Sequence, residues 1–128
     1  VILVDSSSWT HFLRPDGDAV VRARVSQALR EGEACWCDVV RLELWHGAGG
    51  ERERSVLRDF ERVLTSLPID DAVWSAARTL AREARRRSIT VPATDLLIAA
   101  CARRHGANLE SADADFKRLE GLTGSEKD

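Results

Sequence analysis

Four carboxylates in this chain of 128 residues stand where an ionised group needs company. Asp5 closes the apolar run Val1–Val4, Glu43 lies in RLELWHG among Leu42, Leu44 and Trp45, Asp95 opens the apolar stretch of PATDLLIAACA, and Asp113 falls in LESADADF. A carboxylate ending a buried strand must find a partner, because an unpaired buried charge is expensive. If the four converge, each pair ~4 Å apart repels by about 4 kcal/mol at an effective dielectric of ~20, against a whole-domain stability of only about 5–15 kcal/mol. Three remedies are open: protonation, pairing with arginine, or a divalent cation. Hard oxygen donors without neighbouring thiolate or paired imidazole suit Mg²⁺ or Mn²⁺ better than zinc. Taken singly, Asp95 also fits a first-turn acid at a helix N-terminus, Glu43 an exposed helix face, and Asp113 or Asp115 the start of a terminal helix.

The elements that would gather these acids follow from hydrophobic period and punctuation. Val1–Val4 is a short buried strand, and Ala34–Cys37 a second. Helical spacing of Val21, Val25, Ala28 and Leu29 predicts a helix from Asp18 to Gly32. Asp38 is a plausible cap for a helix that stops at the glycines from Gly47, and another helix starts near Glu51 and finishes before Pro68. Asp70 caps a helix with the stripe Val73, Ala76, Ala77, Leu80, Ala81 and Ala84. Thr94 is the expected cap of a helix to His105, apolar all round from Leu96 to Ala102 and therefore central. Ala107–Ser111 is a third strand, and Asp113–Leu122 a last short helix. Strands separated by helices without hairpin signals imply a parallel sheet covered on both faces, whose functional crevice lies beyond the carboxyl ends of the strands. Asp5 and Asp113 belong at that end.

Composition narrows the class. The net charge of −2 excludes a bulk polycation, yet 17 of the 19 basic residues are arginines, since Lys117 and Lys127 are the only lysines. Arg14, Arg41, Arg85–Arg87 and Arg103 are candidates to meet phosphate, and Trp9 and Trp45 are candidates to stack on bases or to pack. Cys35 and Cys37 alternate on one strand face and Cys101 sits in an apolar helix, which fits buried reduced thiols. No membrane span or secretion signal is visible, so a cytoplasmic location is the default.

Together LVDSSSW, RLELWHG, TDLLIAACA and SADADF resemble the PIN-domain ribonucleases, in particular the VapC-type toxins of toxin–antitoxin pairs, in the order and approximate spacing of the acids. The resemblance implies a three-layer α/β/α PIN-like fold with a central, mostly parallel sheet, as a single domain over 1–122 followed by a polar tail, 123–128. It implies a catalytic quartet of Asp5, Glu43, Asp95 and Asp113, with Asp5, Asp95 and Asp113 as metal ligands and Ser7, Ser111 and Asp115 as accessory groups. It further implies Mg²⁺ (or Mn²⁺) as cofactor, RNA as substrate, a homodimer, and a small VapB-like antitoxin as partner. A catalytically inactive RNA-binding or protein-interaction module is the alternative. Two departures stand out: Glu110 and Ala112 occupy positions more often apolar, which suggests a frayed last strand, and the ending TGSEKD suggests a sheet one strand short. Receiver domains and haloacid-dehalogenase-like hydrolases fit less well, for want of a late sheet lysine and of a second acid in DSSS respectively.

Overall fold

The computed structural model describes residues 1–123; of the predicted tail, 124–128 lie outside the described residues. Four strands, β1 (Ile2–Val4), β2 (Ala34–Cys37), β3 (Thr65–Leu67) and β4 (Asn108–Glu110), form one parallel sheet in the order β3-β2-β1-β4. β1 is central: Leu3 faces Cys35 on one side and Leu109 on the other. Leu3 and Val4 are wholly buried, which is what a strand covered on both faces demands. Among the described residues seven helices flank the sheet: α1 (Ser6–Leu13), α2 (Ala19–Arg30), α3 (Asp38–Gly47), α4 (Glu51–Val63), α5 (Asp71–Arg86), α6 (Ala93–Arg104) and α7 (Asp115–Leu119).

Several boundaries have a visible physical cause. Asp18 Oδ1 accepts from the amides of Val20 and Val21, and Asp70 Oδ1 from that of Val73, so both are N-caps, Asp70 as predicted. Gly32 and Gly106 end α2 and α6 with φ of 69° and 64°, a conformation that costs glycine little. α6 is the predicted central helix, with Leu97 to Ala102 all buried, and it pairs with α5 as a helical hairpin.

Four expectations need correction, and the segment after Asp5, on which hydrophobic period is silent, acquires an element. The helix after Glu51 gives way to β3, an edge strand whose Thr65 and Ser66 are exposed; with no apolar alternation, nothing announced it. The segment after Asp5 is a helix, although serine-rich stretches favour helices weakly; α1 is held by Asp5 as N-cap and by fully buried Trp9. Asp38 is not a cap: Cys37 occupies that position, and Asp38 is the exposed first residue of α3, accepting from Ser66 Oγ at 3.4 Å. Likewise Pro92, not Thr94, is the N-cap of α6, because the Pro92 carbonyl already accepts from the amides of Asp95 and Leu96. Finally, β4 is not frayed at Glu110, which pairs with Val4 while its carboxylate receives Ser8 Oγ at 2.8 Å and Arg24 Nε at 2.7 Å.

Candidate active site

Asp5 ends β1 and caps α1, so one backbone turn fixes its carboxylate at the carboxyl edge of the sheet. Its Oδ2 receives Ser7 N at 3.3 Å, Ser7 Oγ at 2.8 Å and Ser111 Oγ at 3.0 Å. The two hydroxyls also order the strand across the gap. Ser7 Oγ accepts from the Ala112 amide at 3.1 Å and Ser111 Oγ from the Asp113 amide at 2.9 Å. Asp113 in turn accepts from the Asp115 amide at 2.9 Å, which starts α7 at Asp115 rather than at the predicted Asp113. Ser7 and Ser111 therefore tie the ends of β1 and β4 into one unit that carries three carboxylates.

The first turn of α6 supplies the fourth member. Asp95 is only 6% exposed, and its Oδ2 is buried with no hydrogen-bond partner among the described residues. Asp95, Asp113 and Asp115 each place an oxygen within 4.8 Å of the others. Asp115 thus stands nearer the centre than an accessory position suggests, while Asp5 and Glu43 flank the trio closely enough for their charges to be felt. Burial, then the charges of Asp113, Asp5, Asp115 and Glu43, push the Asp95 carboxyl up to about 7 from an ordinary 3.8. Glu43 projects from α3, half-buried, with Oε1 receiving Ser6 Oγ at 3.2 Å. Its carboxyl is also raised, by burial and by Asp5, with Asp113 contributing less and Ser6 opposing.

The whole predicted quartet is therefore brought to one crevice, in a fold where acids gather at the carboxyl ends of parallel strands. A family model described as PIN domain matches residues 2–122. The chain belongs to the PIN-domain family. It is 35% identical over 127 residues to VapC ribonuclease Mb1587 of Mycobacterium bovis and to ribonuclease VapC11 of Mycobacterium tuberculosis, covering 96% of this chain and 94% of each relative. Among solved structures it resembles VapBC2 from Rickettsia felis bound to a promoter DNA fragment (TM-score 0.77, 18% identity) and FitAcB from Neisseria gonorrhoeae (TM-score 0.75, 21% identity), each over 94% of both chains. These two likenesses bear on the fold.

The donor set of this PIN domain fits a divalent cation. It is made of carboxylate oxygens alone, one of them buried and without a hydrogen-bond partner among the described residues, and their mutual repulsion is relieved only at its Asp115 edge by an ion pair among the described residues. That pair is Arg118 with Asp115, 3.6 Å from its Oδ1, and Arg118 also donates to the Thr90 carbonyl at 2.8 Å.

Other candidates are sorted by their contacts. Trp9 is core, packed against Phe60 at 4.8 Å between ring centroids. Trp45 donates Nε1 to Glu61 at 2.9 Å. Arg41 is ion-paired with Glu61 and Asp38, and Arg103 holds the carbonyls of Leu119 and Leu122 at 2.7 and 2.9 Å, so both are committed to the fold. Arg14 lines a small cavity with Glu43 and Glu53, and Arg85–Arg87 close α5 as exposed residues. Cys35, Cys37 and Cys101 are free, buried thiols, as expected from their setting. Sequence reasoning missed Ser6 as a partner of Glu43, although its hydroxyl lies in the quoted SSS, and missed Trp74, a tryptophan on the polar face of α5.

Proposed function

We propose that this PIN domain is a metal-dependent endoribonuclease, the toxin of a type II toxin–antitoxin pair. The single observation that carries the metal dependence is the buried, unpartnered Asp95 Oδ2 beside Asp113 and Asp115. The names of the mycobacterial relatives, both ribonucleases, support the activity, and no helix among the described residues is long and apolar enough to cross a membrane.

Asp95, Asp113 and Asp5, with Asp115, would hold Mg²⁺ or Mn²⁺. Such an ion supplies acidity to a water and positive charge for the reacting phosphate. The protein's own part is positional. Ser7 and Ser111 occupy Asp5 Oδ2, leaving Oδ1 without a hydrogen bond from a described residue and so free to coordinate. Ser6 fixes Glu43 through Oε1, so Oε2 is the atom to orient the attacking water and take its proton. The raised pKa of Glu43 suits it to that task. The water oxygen forms a bond to phosphorus as the P–O3′ bond breaks, which leaves a 5′-phosphate, and the departing oxygen takes a proton from solvent.

The acidic crevice also explains how a small VapB-type antitoxin would silence the enzyme: a cationic side chain entering it replaces the ion's charge. A solved structural neighbour from Mycobacterium tuberculosis, described as a member of the VapBC family of toxin–antitoxin systems, supports such a partner, and a homodimer is the expected assembly. Purified protein incubated with RNA tests the reading. Cleavage is expected with Mg²⁺ and is lost with EDTA, with Asp95→Asn and with Glu43→Gln. Cleavage that survives chelation and both substitutions would come from a contaminant and remove the enzyme reading; metal-independent binding without cleavage would favour the inactive module.

A further inference from the structure

The exposed face of α5 carries an aromatic and basic stripe that neither the core nor the acidic crevice uses. Trp74 is 49% exposed, and Arg78, Arg82, Arg85 and Arg86 are exposed at helical spacings of three and four from it, so Trp74, Arg78 and Arg85 lie on one line. Between them Ala81 leaves a shallow depression walled by Arg82, Arg85 and Arg86. From Trp74 to Ser88 every described acid on this helix is hidden, since Glu83 is 4% exposed and turned toward Thr123. The stripe is about 16 Å long at ~1.5 Å per residue. A short loop joins its arginine end to the acidic crevice: α5 runs through that loop into Asp95-bearing α6, and in it the Thr90 carbonyl is held by Arg118, itself beside Asp115.

We propose that this face of α5 is a track for the single-stranded part of an RNA substrate, with arginines 78 and 85 on consecutive phosphates and Trp74 stacking on a base a few nucleotides from the scissile bond. This rests on the ribonuclease reading above and extends it to substrate positioning. An exposed indole beside guanidinium planes is suited to unpaired bases, which stack on both. A second copy of the chain fits less well, because a two-fold contact through this face would set arginines against arginines with no exposed acid among its described residues to meet them.

Binding of a fluorescein-labelled oligouridylate of about twelve nucleotides, followed by anisotropy in EDTA so that nothing is cut, tests the track. Trp74→Ala should weaken binding roughly five- to hundredfold with the salt dependence unchanged, and Trp74→Phe should restore most of it. Arg78→Ala with Arg85→Ala should weaken binding and flatten the slope of log K against log salt by about 1.4, at ~0.7 per phosphate contact. In cleavage with Mg²⁺, the same variants should raise KM for the long RNA while kcat, and all cleavage of a dinucleotide substrate, stay unchanged. Unaltered affinity and slope would overturn the track, as would light scattering showing that the substitutions only dissociate a dimer. An RNA that binds along α5 but is never cut would refute the ribonuclease reading and leave the track standing; cutting with KM indifferent to Trp74 and Arg85 would do the reverse.

Discussion

Asp95→Asn should make the metal-free protein more stable above neutral pH while destroying its chemistry. The Asp95 carboxyl is raised from 3.8 to about 7 by burial and by Asp113, Asp5, Asp115 and Glu43. A carboxyl whose pKa is higher folded than unfolded favours the fold while protonated, and that advantage disappears as pH rises through about 7. The shift corresponds to about 4 kcal/mol at 1.36 kcal/mol per unit, and solvent at the crevice mouth reduces this to on the order of 2 kcal/mol. Asparagine keeps the shape and removes the charge, so at pH 8 in EDTA the variant should melt about 6–10 °C above the wild type. At pH 5, where part of the wild-type carboxyl is protonated in the fold, the difference should be smaller. Thermal unfolding by circular dichroism at the two pH values measures it, and Mg²⁺ should narrow the gap, since at a hundredfold excess over the wild-type Kd the wild type gains about 2.7 kcal/mol and a variant binding tenfold more weakly gains about 1.4 kcal/mol. A variant less stable than wild type at pH 8 in EDTA, or a difference independent of pH, would show that the ionised Asp95 carboxylate does not oppose folding.

Removing the Glu110 carboxylate with Glu110→Ala leaves the buried Ser8 hydroxyl without its acceptor and Arg24 without its partner; denaturant unfolding should show a loss of about 1–3 kcal/mol. Ser88 ends α5 with φ of 58°, a left-handed conformation that favours glycine. Ser88→Gly should therefore raise stability by roughly 0.5–1 kcal/mol, read as a higher melting temperature with cleavage unchanged. Ser111→Ala removes one donor from Asp5 and the acceptor of the Asp113 amide, and should weaken metal binding about tenfold, checked by titration calorimetry.

What was legible in the sequence was whatever rests on hydrophobic period or on a charge in apolar company. Val1–Val4 and the apolar α6 could only be buried elements, and Asp5 and Asp95 at their ends declared themselves by contrast. β3 was invisible because an edge strand of three residues, two of them polar and exposed, carries no alternation to read. α1 was hidden because its stability comes from tertiary anchoring of Trp9 and from the Asp5 cap, not from the propensity of SSS. Glu110 looked like a fault in a strand because its compensation, Arg24, lies 86 positions away. The same distance problem concealed which acids stand closest. Only the Asx-type turn at Asp113 brings Asp115 beside Asp95, and turn geometry of that kind is not written in spacing alone.

Whether these carboxylates hold a divalent cation is decided by titrating EDTA-stripped protein with Mn²⁺ at pH 8, following the free ion by electron paramagnetic resonance. Saturable binding that Mg²⁺ displaces is expected, weakened on the order of tenfold or more by Asp95→Asn and by Asp113→Asn, and weakening in the wild type as pH falls below about 7. Mn²⁺ binding that is absent from the wild type, or equally tight in both variants, would contradict it.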